Sequence, residues 1–174
     1  MPKKYYKITN AKEKHHGYQY KEGLNILDCK FDNDKTNECS DGGLYFSDAK
    51  NILNFLDFGV NLREIYLPTS DKKLKYLKSD NDKWRANRII LGKKYSLSKT
   101  KTIKMLIKNG AKLQDFSHDL MDWAIENGCK KIIKFLVKKN LKSTDGLRFD
   151  WDVRKLIKKH SNNLGKLTDK ILKL

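Results

Sequence analysis

His15, His16, Cys29 and Cys39 are four soft donor side chains within one stretch of the chain. Imidazole and thiolate are the usual zinc ligands, and a closed structural site takes four of them. Their spacing argues against a metal. Structural zinc sites draw ligands in close pairs such as Cys-x2-Cys or His-x3-His, and neither occurs here. The four residues read as partly buried thiols and a polar histidine pair, and no metal is expected. Cys129 reads as a small packed side chain. No Gly-rich phosphate loop, Ser-His-Asp arrangement or acid/base pair of carboxylates can be picked out. The sequence therefore predicts no enzyme activity and no cofactor.

Lysines offer a different chemistry. Lys101, Lys104 and Lys108 recur thirty residues later as Lys131, Lys134 and Lys138, and Arg154 with Lys158 continues the pattern. On a helix these positions share the face opposite Ile132, Ile133, Leu136 and Val137. Eight cations would then form one stripe, suited to an acidic protein surface or to nucleic-acid phosphate. Aromatic side chains are not interleaved with them, as single-strand binders usually require.

The overall charge sets that stripe in context. The 174 residues carry 38 basic and 21 acidic side chains, a formal net charge of +17. Only five of the 38 are Arg, and a Lys excess of this kind also follows from an A/T-rich genome. Distribution says more than the total. Residues 1–91 hold 17 basic and 13 acidic residues, net +4, whereas residues 92–174 hold 21 and 8, net +13. That asymmetry predicts two units, 1–92 and 93–174, the second drawn to something negative. No apolar run approaches the ~18 residues of a membrane span, and the first residues lack a signal-peptide core. An intracellular protein is expected, with no membrane partner.

These residues need elements to hold them. Tyr5–Thr9, Gly42–Phe46, Leu62–Leu67 and Trp84–Leu91 read as strands and Gly23–Leu27 as a short apolar piece, with a short helix over Ala49–Phe58 stopped by Gly59. Residues 28–43 read as a loop and Asp71–Lys83 as a charged segment. The second half has helical spacing. Shifting Lys101–Asn109 by thirty residues superimposes Ile103 on Ile133, Leu106 on Leu136 and Ile107 on Val137. Helices are expected near 98–109, 118–127, 129–139 and 152–159, the middle two as an antiparallel hairpin. A repeat of this length implies stacked hairpins, because one hairpin cannot bury its apolar face alone.

The stretch Trp123–Asn140, with Asn127-Gly128 at its turn, resembles the second half of an ankyrin repeat. Lys108-Asn109-Gly110-Ala111 resembles the end of the repeat before it. The Thr-Pro-Leu-His start of such repeats is replaced by Asp119-Leu120-Met121-Asp122. The likeness covers roughly residues 96–160. It implies a binding surface for a protein partner and no catalytic apparatus. Residues 42–46, 62–65 and 83–91 resemble the leading segments of ankyrin proteins from giant DNA viruses, which implies a virus-encoded protein acting inside an infected cell, in the host cytoplasm, with nucleus and virion left open as alternatives. The predicted fold is thus α+β: a small mixed domain followed by a short all-α stack of ankyrin-like hairpins.

A second resemblance concerns residues 16–65. His16-Gly17, Glu22-Gly23-Leu24, Gly43–Ser47 and Arg63-Glu64-Ile65 follow the order of motifs in ADP-ribosyltransferases. That resemblance implies His16 as a ribose-binding residue and Tyr45 as the residue stacking on nicotinamide. The strand expected to present a catalytic Glu, Trp84–Leu91, has none. The sequence thus favours an interaction module, with an ADP-ribosyltransferase-like enzyme and a nucleic-acid binder as alternatives.

Overall fold

The computed structural model of the chain describes residues 4–37, 41–79, 83–113 and 117–140. Nine strands are present: β1 (Tyr5–Thr9), β2 (Lys14–His15), β3 (Tyr18–Gln19), β4 (Gly23–Ile26), β5 (Leu44–Asp48), β6 (Asn61–Tyr66), β7 (Tyr76–Lys78), β8 (Lys83–Ala86) and β9 (Arg88–Ser96). A 3-10 helix covers Ile52–Phe58, and three α-helices follow: α1 (Thr100–Lys108), α2 (Ser117–Glu126) and α3 (Lys130–Asn140). Seven strands form one antiparallel sheet in the order β4-β9-β6-β1-β5-β8-β7, and β2 pairs with β3 as a separate hairpin.

Alternation along the strands gives the sheet two apolar faces. From β1, Tyr6 and Ile8 join Leu62 of β6 on one face, under the 3-10 helix and α1–α3. Tyr5 turns the other way, towards a second cluster of Tyr20, Leu44, Phe46, Ile65, Ala86, Ile89 and Leu91. The first cluster is continuous from the sheet through Leu53 and Leu56 to Leu106, Ala124, Ile133 and Leu136. Polar ties reinforce it: Asn109 donates to the Tyr6 hydroxyl at 3.0 Å, and the Trp123 indole donates to the Gly59 carbonyl at 3.2 Å.

Both Asn-Gly pairs end helices in the same way. Gly110 (φ 112°) and Gly128 (φ 62°) take the left-handed conformation that glycine adopts without a Cβ clash. Ala111 then donates to the Leu106 carbonyl at 3.0 Å and Gly110 to Ile107 at 3.1 Å. The same pairing recurs as Cys129 to Ala124 and Gly128 to Ile125, at 2.7 and 3.1 Å. α1, α2 and α3 fall where the spacing of apolar residues put them, and the expected helix near 152–159 lies outside the described residues.

The fold expectation needs correction. The described residues are dominated by the seven-stranded antiparallel sheet with a few short helices, and no all-α stack of ankyrin-like hairpins is present among them. A single hairpin still cannot bury its own apolar face. Here α2 and α3 solve that problem against the 3-10 helix, α1 and the sheet rather than against further repeats. Three strand features also differ from the sequence expectation. The Asp71–Lys83 segment contains β7, the β2–β3 hairpin occupies a stretch read as polar, and Trp84–Leu91 is two strands broken at Asn87. Asn87 holds that break in place. Its amide side chain donates to Lys73 and accepts from the Lys75 backbone N–H, at 2.9 and 2.7 Å.

Candidate functional site, a cationic cleft where two strands part

β1 runs alongside β6 for its whole length, from Tyr5↔Ile65 to Thr9↔Asn61. Against β5 it pairs only at Tyr5↔Asp48 and Tyr6↔Ser47. Beyond Tyr6 the two strands separate, and a cleft opens between them. Lys7 and Ile8 of β1, Tyr45, Phe46 and Ser47 of β5 and Lys83 of β8 form its walls. Ile52, Phe55 and Phe58 of the 3-10 helix close one side, and His15 and His16 of the hairpin another. Its volume is about 90 Å³, well below the ~300 Å³ at which pockets for drug-sized ligands begin.

Lys7 takes over where the ladder stops. Its Nζ donates to the Tyr45 carbonyl at 2.9 Å, so a side chain serves a backbone acceptor that the parting strands leave behind. The ammonium lies 4.6 Å from the centre of the Tyr20 ring, within reach of a cation–π attraction. The residue is only 5% exposed. Taking an ammonium out of water disfavours its charged form, and burial pulls Lys7 down to about 7. Lys83 is also buried, with its Nζ 5.4 Å from the Tyr45 ring centre.

The histidines arrive on a tight turn. His16 (φ 46°) and Gly17 (φ 79°) both have positive φ between the paired His15 and Tyr18, as a type I′ hairpin turn requires. Histidine is among the few non-glycine residues found with some frequency in that conformation. The His15 and His16 rings lie 4.1 Å apart, and His15 meets Phe58 edge-on at 4.7 Å. Burial first, then the charges of Lys7 and His16, lower His15 to about 4, so at neutral pH it is uncharged. Arg63 locks the hairpin to the sheet through paired bonds to Glu13, 2.7 and 2.8 Å long.

The cleft therefore unites His16 and Tyr45, the pair named by the likeness to ADP-ribosyltransferases. It adds Lys7 and Lys83, which sequence reasoning did not select, and His15, which it read as half of a polar histidine pair. An isolated Lys in an otherwise apolar strand was the one available signal. Among the described residues, no Asp or Glu lines the cleft.

The remaining candidates lie elsewhere. Lys101, Lys104 and Lys108 on α1 and Lys131, Lys134 and Lys138 on α3 are all exposed. The Lys104 ammonium sits 5.7 Å from the Phe135 ring centre, so the two helices are neighbours there. Arg154 and Lys158 lie outside the described residues. Cys29 is exposed and its thiol donates to the Asp41 carbonyl, Cys129 is buried, and Cys39 lies outside the described residues. Among the described residues no three His, Cys, Asp or Glu side chains gather as a metal site would need.

Comparison with known proteins brings a family into view. "Putative ankyrin repeat protein R868" of Acanthamoeba polyphaga mimivirus is 38% identical over 140 residues, covering 80% of this chain and 69% of that protein. "Uncharacterized protein R869" of the same virus is 42% identical over 131 residues, 75% of this chain and 95% of its own length. The chain belongs to this mimivirus family. A longer relative, "Putative ankyrin repeat protein R896", is 42% identical over 143 residues that make up 43% of it. No family model matches the chain, and no solved structure does. The family's members are viral and several carry the ankyrin name. No helix among the described residues is long and apolar enough to cross a membrane.

Proposed function

We propose that the chain is a non-enzymatic module that binds a protein partner inside the infected cell, through the exposed faces of α1 and α3. The carrying observation is that relatives at 38% and 42% identity bear the ankyrin name, a class of protein that works through binding. The geometry agrees with that reading. α2 and α3 form a helix pair of ankyrin-like sequence whose apolar side is consumed by the core, leaving six lysines outward on α1 and α3. An acidic surface is the partner chemistry they suit.

A photo-crosslinking side chain placed at Lys134 of the full chain tests this in extract of infected host cells, with Lys72 on the β6–β7 connection as the control position. Protein adducts confined to the Lys134 probe are expected. Adducts of equal yield at both positions would show diffuse attraction, and the reading would fall.

The net +13 of residues 92–174 favours nucleic acid as a second reading. Some salt-sensitive binding to polyanions follows from charge alone. If the lysine face is the site, changing Lys104, Lys134 and Lys138 to Gln flattens the log–log salt dependence of RNA binding by about three units. Equal flattening by Gln at Lys72, Lys73 and Lys75 would remove the face from consideration.

A further inference from the structure

The seven-stranded sheet ends in two edges of different character. β7 forms one of them, a strand of three residues with Lys75 beside it and Lys78 within it. Short edges bearing lysine discourage further strand pairing. β4 forms the other, and Gly23–Leu27 contains neither a charge nor a proline. Register fixes which backbone groups of β4 point outward. The strand follows β9 without a shift from Gly23↔Leu91 to Ile26↔Arg88, and Leu27 donates to the Asn87 carbonyl at 2.8 Å in the same register. Hydrogen-bonded pairs alternate along an antiparallel ladder, so Gly23, Asn25 and Leu27 face β9 while Leu24 and Ile26 turn their N–H and C=O groups outward. The Ile26 carbonyl accordingly takes a partner off the ladder, the Tyr18 hydroxyl at 3.0 Å. The side chains of these two residues are exposed as well, Leu24 at 42% and Ile26 at 44%. Leu24 lies opposite Ile90, and Ile90 opposite the exposed Tyr66, so an apolar row runs from β6 to the open edge.

We propose that β4 is a self-association edge, pairing antiparallel with β4 of a second copy of this chain so that Leu24 lies opposite Ile26 of the partner subunit. A second copy fits because the outward groups of β4 complement themselves. A two-fold axis normal to the sheet beside Asn25 makes two hydrogen-bonded pairs, Leu24 with the partner's Ile26 and Ile26 with the partner's Leu24. The Ile26 carbonyl keeps its bond to Tyr18 on its second lone pair. The row Tyr66, Ile90, Leu24 then continues across the seam into the partner's Ile26, with apolar side chains directly opposite each other. Moving the axis to Leu24 would instead set Ile26 against the partner's Glu22 and lose that match. One strand per chain makes a small contact, in the weak class that buries less than ~1,200 Å². Glu22 also falls opposite the partner's Asp28, and like charges at both ends of the seam weaken it further. The seam shares no residue with the lysine face of α1 and α3, so it stands or falls independently of the partner reading.

The test is analytical ultracentrifugation of the full chain from about 5 μM to about 500 μM, in about 0.15 M salt so that repulsion between the two basic chains is screened. The average mass is expected to rise with concentration from 20.4 kDa towards twice that value. Leu24→Lys should stay monomeric throughout. Tyr76→Lys adds the same charge at the β7 edge and should associate as the parent does. Asp28→Lys tests the register, because it sets opposite charges against Glu22 of the partner subunit at both ends of the seam. It should tighten association about fivefold, although its added positive charge would by itself weaken it. A parent chain that stays monomeric to the top of the series would overturn the proposal. So would association that survives Leu24→Lys, equal loss in Tyr76→Lys, or an Asp28→Lys variant that associates no more tightly than the parent. The parent series involves no substitution, so the outcome does not depend on whether a variant folds.

Discussion

Burial of the Lys7 ammonium has an electrostatic consequence of definite sign. In the unfolded chain its amine titrates near 10.4; in the folded protein burial holds it at about 7. Between those values the unfolded chain binds the extra proton, so stability rises with pH across the window. Below about 7 both states are protonated and the penalty for the buried charge is present in full. Lys7→Met removes it. The variant is expected to be more stable than the parent near pH 6, by an amount on the order of several kcal/mol less the lost bond to Tyr45. The advantage should shrink steadily towards pH 10. Urea unfolding midpoints of both proteins across that range provide the measurement, and a pH-independent gap would mean Lys7 is not held as described. Residue chemistry of this kind was hidden in the sequence. A lysine in Tyr5–Thr9 looks like the solvent side of a half-buried strand, and only the early parting of β1 from β5 buries it.

At the scale of elements the sequence was most legible where local pattern and final packing agree. The apolar spacing of Ile103, Leu106, Ile133 and Leu136 and the two Asn-Gly stops located α1, α2 and α3. Strand β7 was illegible because Tyr76-Leu77-Lys78 has no strand pattern of its own and exists through pairing with β8. The β2–β3 hairpin is signalled by His16-Gly17, but two-residue strands lie below what alternation can reveal. Gly59 links two elements and tests how tightly they are joined. It ends the 3-10 helix with φ at 146°, and a Cβ there would stand 2.4 Å from the Thr9 carbonyl oxygen of β1. Gly59→Ala should cost about 2–4 kcal/mol, since both the backbone conformation and a rigid neighbour resist it. Gly92→Ala makes the contrast. Its Cβ would meet the Tyr66 ring, also at 2.4 Å, but that side chain is half exposed and can swing aside. A cost of about 1 kcal/mol or less is expected there. Thermal melts of the two variants that come out equal would contradict the distinction.

For the whole molecule, the arrangement of helices on sheet depends on contacts between residues a hundred positions apart, which no periodicity reports. That is why helix positions could be read and the expected stack could not: the spacing shows which face of α3 is apolar, but not what covers it. The cover is shared. Ile133 is fully buried in the same cluster as Tyr6, Ile8 and Leu62. Ile133→Asp would place an unpaired carboxylate there, a change that costs several kcal/mol, on the order of 3–5, unless the group takes up a proton. The consequence should spread beyond α3, because losing the helix also strips the cover from one face of the central strands. Amide hydrogen exchange is the measurement that separates local from global loosening. In the variant, protection at Ile8 and Leu62 should fall together with protection at Leu136. Exchange that quickens in α3 while β1 and β6 keep their parental protection would mean that the helices ride on the sheet without contributing to its stability.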